Sequence, residues 1–108
     1  MDTLADIRDL PDDWNLEGAA KPNATSVQNT TRVLRFVRHT PASVLPSVEE
    51  GVLVRFGARS EGAYIECYND GEIACILVKD GKVVKNMDVS ELSLESVLCE
   101  VNAHLDAT

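Results

Sequence analysis

Five side chains in this sequence could carry nucleophilic or proton-transfer chemistry: the histidines His39 and His104 and the cysteines Cys67, Cys75 and Cys99. A cysteine nucleophile needs an imidazole within hydrogen-bond reach and donors aimed at the developing oxyanion. The sequence signals neither. His39 and His104 fall at the expected ends of two helices, where a protonated imidazole complements the partial negative charge of the helix C-terminus. Cys67 is expected on a core face and Cys99 just beside an apolar helical stripe, so both read as small buried hydrophobes. No C-x-x-C spacing points to a zinc site or a redox pair. Glu49-Glu50 and Asp12-Asp13 are adjacent carboxylates in loops, not a pair held apart across a substrate. The calcium-loop spacing is absent, as are the P-loop, G-x-G-x-x-G and H-E-x-x-H motifs. The sequence therefore predicts no catalytic residue, no metal site and no cofactor, and a protein that is not an enzyme.

Two constellations could bind instead. Tyr64 and Tyr68 flank Glu66 at alternating positions of a predicted strand, and tyrosine beside apolar groups is the composition of a protein contact surface; the alternative is that the N-terminal helix and Trp14 cover this face. Arg32, Arg35 and Arg38 recur every third residue of a predicted helix, with Lys21 and His39 nearby. Such a row can touch phosphates. However, 18 acidic against 10 basic residues give a net charge of −8, which opposes approach to a polyanion and favours a basic partner. Nucleic acid is accordingly the disfavoured partner, with the arginine face as an alternative to the Tyr64, Glu66, Tyr68 surface.

The elements that position these residues follow from pattern. Leu4, Ile7 and Leu10 recur on one side of a short N-terminal helix that Pro11 stops. A turn-rich segment from Asp12 to Asn23 carries Trp14 as its one large apolar anchor. Asn23 or Thr25 can cap a second helix running to about His39, with Val27, Thr30, Leu34 and Val37 forming its buried stripe. A β-meander follows. Val52, Val54 and Phe56 alternate with Leu53 and Arg55, and the apolar runs beyond them are punctuated by Asp70-Gly71 and Asp80-Gly81, which predict two tight type I′ hairpins. With both Asp-Gly pairs at the centres of two-residue turns, Cys67 faces Ala74, Ile65 faces Ile76 and Val78 faces Val83. That register puts Ala63, Ile65, Cys67, Ala74, Ile76, Val78, Val83 and Met87 on the core face. It puts Tyr64, Glu66, Tyr68, Ile73, Cys75, Leu77 and Val84 on the other, with Cys67 and Cys75 on opposite sides. Leu94, Val97, Leu98, Val101 and Leu105 mark a final amphipathic helix that Ser93 caps.

At 108 residues the chain has the size of one domain with one core. The expected fold is a single α+β domain over 1–108: an antiparallel meander of four to five strands, two main helices on one face and a short N-terminal helix. No apolar run approaches the ~20 residues of a membrane span, and Met1 to Asp6 lacks the basic start of a signal peptide. A cytoplasmic location with free thiols is expected, and no membrane partner.

The stretch Trp14-Asn15-Leu16-Glu17-Gly18-Ala19-Ala20-Lys21-Pro22, followed by a helix containing Val33-Leu34-Arg35-Phe36-Val37, resembles an uncharacterised family of small bacterial and phage proteins with a W-D-G-E-G-A-x-x-P-like segment. Trp14, Glu17, Gly18, Ala19 and Pro22 match, while Asn15 and Leu16 depart from Asp-Gly. The resemblance implies the fold and a bacterial or phage setting, and no reaction. The expected function is a non-enzymatic protein-binding factor that occludes or scaffolds a partner, in the manner of an antitoxin, an immunity protein or a counter-defence inhibitor. The alternatives are a self-associating module forming a homodimer and a nucleic-acid contact through the arginine helix.

Overall fold

Asn23 starts the helix α1 (Ala24–Phe36) through reciprocal bonds. Its Oδ1 accepts from the Ser26 backbone N–H at 3.0 Å, and its own N–H donates to Ser26 Oγ at 3.1 Å, which satisfies two donors a helix start would otherwise leave orphaned. In the computed structural model the described residues are 21–89 and 93–107. The expected N-terminal helix, Trp14 and the resemblance segment up to residue 20 lie outside them. Val27, Thr30, Val33 and Val37 are buried and Leu34 packs against the same core, close to the expected stripe.

The helix ends three residues before His39. Val37 is already extended, and the Arg38 N–H donates to Asn102 Oδ1 at 2.9 Å while Asn102 Nδ2 donates to the Phe36 carbonyl at 3.3 Å. A buried asparagine from the last helix thus takes over the unpaired backbone groups at this terminus. As a result Arg38 and His39 leave the helical row.

Five strands follow: β1 (Ser43–Ser47), β2 (Gly51–Gly57), β3 (Gly62–Tyr68), β4 (Ile73–Lys79) and β5 (Lys82–Asp88). They form one antiparallel sheet in sequence order. The helix α2 (Leu94–Asp106) closes the chain. Ser93 caps it, accepting from the Ser96 N–H at 3.1 Å, and Leu94, Val97, Leu98, Val101 and Leu105 are all buried. Both helices pack on one side of the sheet, α1 over β2 and β3 and α2 over β3 and β4. The fold is α+β, with its core between the helices and that face.

One hairpin departs from expectation. At Asp80-Gly81 both residues have positive φ, 52° and 75°, and Val78 pairs with Val83; this is the two-residue turn the sequence signals. At Asp70-Gly71 only the glycine is left-handed, with φ 96°, and the Tyr68 N–H donates to the Glu72 carbonyl at 2.8 Å. The loop is therefore three residues, Asn69 to Gly71. One extra loop residue slips the register, and a slip of one exchanges the faces of the strand that follows. Cys67 pairs with Ile73, Ile65 lies opposite Cys75, and Ala63 opposite Leu77. Ile73, Cys75 and Leu77 are buried under the helices, whereas Ala74 and Ile76 lie on the far face. Cys67 and Cys75 accordingly share the core face and are both free. They are diagonal neighbours, and the ~7–8 Å such positions usually keep exceeds the reach of a disulfide.

An irregularity between Leu77 and Val78 makes Val84 an extra residue in β5. Val83 pairs with Val78, in the row next to Leu77 and therefore on the opposite face by alternation, and is 57% exposed instead of buried under the helices.

Candidate functional site

Neither helix touches the second face of the sheet, and the pairings align its side chains in rows. One row across the strands is Ser43, Arg55, Tyr64, Ile76 and Asn86; the next is Leu45, Leu53, Glu66, Ala74 and Asp88. Ser47, Gly51 and Tyr68 make a third. Tyr64, Glu66 and Tyr68 thus stand together on this face, all half-buried, as the alternation of β3 requires. Their neighbours differ from those expected. Ile76 and Ala74 stand opposite Tyr64 and Glu66, where the expected register set Leu77 and Cys75.

Glu66 is the polar centre. Ser47 Oγ donates to its Oε2, and the Tyr68 hydroxyl donates to its Oε1 at 3.1 Å. Both carboxylate oxygens are engaged, so the charge is fixed in place. Partial burial, and then the negative charge of Glu66, push the Tyr68 phenol up to about 12, which keeps it protonated as a donor. The Tyr64 hydroxyl reaches the Arg59 carbonyl at 3.3 Å, tying its ring towards the turn between β2 and β3. Tyr64 and Leu53 form a ridge between two shallow hollows. The first, about 270 Å³, is bounded by Glu66, Tyr68 and Ile76. The second, about 440 Å³, is bounded by Ser43, Leu45, Arg55 and Arg59.

The arginine row is not assembled as the sequence suggests. Arg32 and Arg35 are exposed on α1, but Arg38 lies past its end and pairs with Asp106 Oδ2 at 2.6 Å. His39 Nε2 meets the other oxygen of the same carboxylate at 2.7 Å. Those two contacts, His39 first, hold the Asp106 carboxyl below its ordinary range. His104 lies in the last turn of α2, where its Nε2 is bonded to the Val78 carbonyl at 3.0 Å. Each imidazole therefore has a local structural partner.

The cysteines divide differently from expectation. Cys67 and Cys75 are buried, but Cys99 is exposed, because it lies one position off the α2 stripe and faces away from the sheet. It borders a hollow with Lys85, Ser96 and Glu100, in which Lys85 Nζ and Glu100 Oε1 pair with each other. Among the described residues no cluster of His, Cys, Asp or Glu is placed to hold a metal ion. Neither described helix is long and apolar enough to cross a membrane.

Sequence reasoning missed Arg55 as a member of this face, although the alternation of Leu53 and Arg55 with buried Val52, Val54 and Phe56 carried the signal. Pairing β2 with β3 would have set Arg55 beside Tyr64. Comparison with family models, curated proteins and solved structures finds no match for this chain.

Proposed function

We propose that this chain is a non-enzymatic protein-binding factor that docks a partner protein on the sheet face opposite α1 and α2, centred on Tyr64, Glu66 and Tyr68. In this reading it acts by occluding or scaffolding that partner, in the bacterial or phage setting that the Trp14 to Pro22 resemblance implies. The observation that carries the reading is the face itself: two half-buried tyrosines, Leu53 beside Tyr64 and a carboxylate already anchored by two hydroxyls. Side chains held in place before contact lose little entropy on binding, and tyrosine gives large contact area with few torsions. A net charge of −8 speeds encounter with a partner that is basic overall.

The test compares two variants against a partner captured from host lysate and then purified. Tyr64→Ala/Tyr68→Ala should lose ~2 kcal/mol or more of affinity, the usual hot-spot threshold, with an unchanged far-ultraviolet spectrum. Charge reversal at Arg32, Arg35 and Arg38 should leave most of the affinity at moderate salt, since exposed rim charges mainly tune association rate. The inverted pattern would move the working surface to α1 and make an acidic target, nucleic acid included, the better reading.

A further inference from the structure

The hollow beside Tyr64 contains an arginine with an unmet need. Arg55 is half-buried on β2, and its Nε is shielded from solvent with no acceptor among the described residues. Leaving a donor of a charged group shielded and unpaired is costly. Arg59 borders the same hollow from the adjoining turn, and neither guanidinium belongs to any of the ion pairs among the described residues. This pairing is unusual in a chain with 18 acidic residues. Arg32 and Arg35 also form no ion pair among the described residues, but they are exposed, and water satisfies their donors.

Resting on the reading that this face docks a protein, we infer that the Arg55 and Arg59 hollow is the subsite for an aspartate or glutamate carboxylate of the partner, flanked by an apolar residue. A planar guanidinium offers Nε–H and an Nη–H side by side, at the spacing of the two oxygens of a carboxylate. A small turn of the Arg55 side chain presents that edge and gives its Nε–H the missing acceptor. Leu45, 53% exposed, and Leu53 supply the apolar floor for the flanking residue. The hollow selects a single carboxylate over a polyanion, because the acidic body of the protein repels a run of phosphates. A partner that is basic overall and carries one protruding acidic side chain satisfies both the long-range field and the local fork.

The experiment uses the full chain labelled with ¹⁵N, and three probes: the capped peptide Leu-Glu-Leu, its Leu-Gln-Leu counterpart and a short oligothymidine. The Glu peptide should shift the Arg55 Nε–H and Tyr64 amide resonances saturably, and the Gln peptide should bind about tenfold more weakly, the loss expected for a charge-assisted bidentate pair. Arg55→Lys, which keeps the charge and loses the fork, should weaken the Glu peptide similarly. Arg59→Gln, in an exposed turn that tolerates change, should weaken it less. No saturable shift, equal binding of both peptides, an unaffected Arg55→Lys variant, or tighter oligothymidine binding at the same resonances each overturns the inference. A silent hollow alongside partner binding that still depends on Tyr64 and Tyr68 removes the carboxylate subsite alone. Partner binding indifferent to the tyrosines removes the docking face itself.

Discussion

Cys67 and Cys75 show how little a residue type says until its surroundings are known. Burial, outweighing a hydrogen bond to Thr30, pushes the Cys67 thiol up to about 11, and burial followed by the charge of Glu100 pushes Cys75 up to about 12. Nucleophilicity and metal binding both require the thiolate, so near neutral pH these two are apolar packing groups. Cys99 is exposed on α2 and should be the only fast-reacting thiol. Iodoacetamide at neutral pH is expected to add one label to the folded protein and three after unfolding without reductant, counted by mass spectrometry. A second label appearing as fast as the first in folded protein would place Cys67 or Cys75 within reach of solvent. The same dependence on surroundings holds for Glu66. Its type was legible in the sequence, but its fixation by Ser47 and Tyr68 required the β1 to β2 pairing, and the chain around Val48, Glu49 and Glu50 carries no turn signature.

Among the elements, the strongly periodic ones were legible: α2 with its Ser93 cap, the strands β2 to β5, the turn at Asp80-Gly81 and the start of α1, where Asn23 is the cap of the two offered, Asn23 and Thr25. The misreadings share one cause, which is that a local signal admits two geometries and a distant contact chooses between them. Asp-Gly suits a two-residue turn and equally a three-residue loop ending in a left-handed glycine, and the first hairpin takes the second form. Its Asn69 is held by α1: Oδ1 accepts from the Asn23 N–H at 2.9 Å and from Ser26 Oγ at 2.8 Å. Nδ2 donates to the Lys21 carbonyl at 2.9 Å. These partners hold Asn69 outside the strand pairing and favour the longer loop. Gly71→Ala should therefore destabilise the protein by ~1–2 kcal/mol, the penalty of the left-handed region for a residue with a Cβ, as read from the denaturation midpoint. An added Cβ would meet only Thr25 Cγ2 at 3.8 Å, an ordinary contact, so conformation alone sets the loss. A loss near zero would mean the loop readjusts. The end of α1 was misread for a parallel reason, since Pro41 permits a helix as far as His39 and only Asn102 stops it at Phe36.

At the scale of the whole molecule, the chain segments after α1 and at the end of α2 are joined by one carboxylate. Asp106 receives both Arg38 and His39, and its folded pKa is lowered. A lowered folded value means that the stabilisation is fully present above the ordinary carboxylate pKa and is lost as pH falls through the folded one. Wild type should exceed Asp106→Asn in stability near neutral pH, with the difference closing below the ordinary carboxylate range. Urea melts across that range would show it, and a difference independent of pH would assign the effect to packing. A wider consequence belongs to the two asparagines that hold α1. Asn69 engages its first turn across 46 residues of sequence, and Asn102 engages the chain at its last turn across 64. A 13-residue helix is marginal alone in water and would ordinarily fray from its ends. Here neither end can loosen without first releasing the tip of a hairpin or the body of the other helix. Fraying at either end of α1 therefore costs the bonds made by an asparagine from another element, and the ends of this helix open less readily than those of the same helix alone.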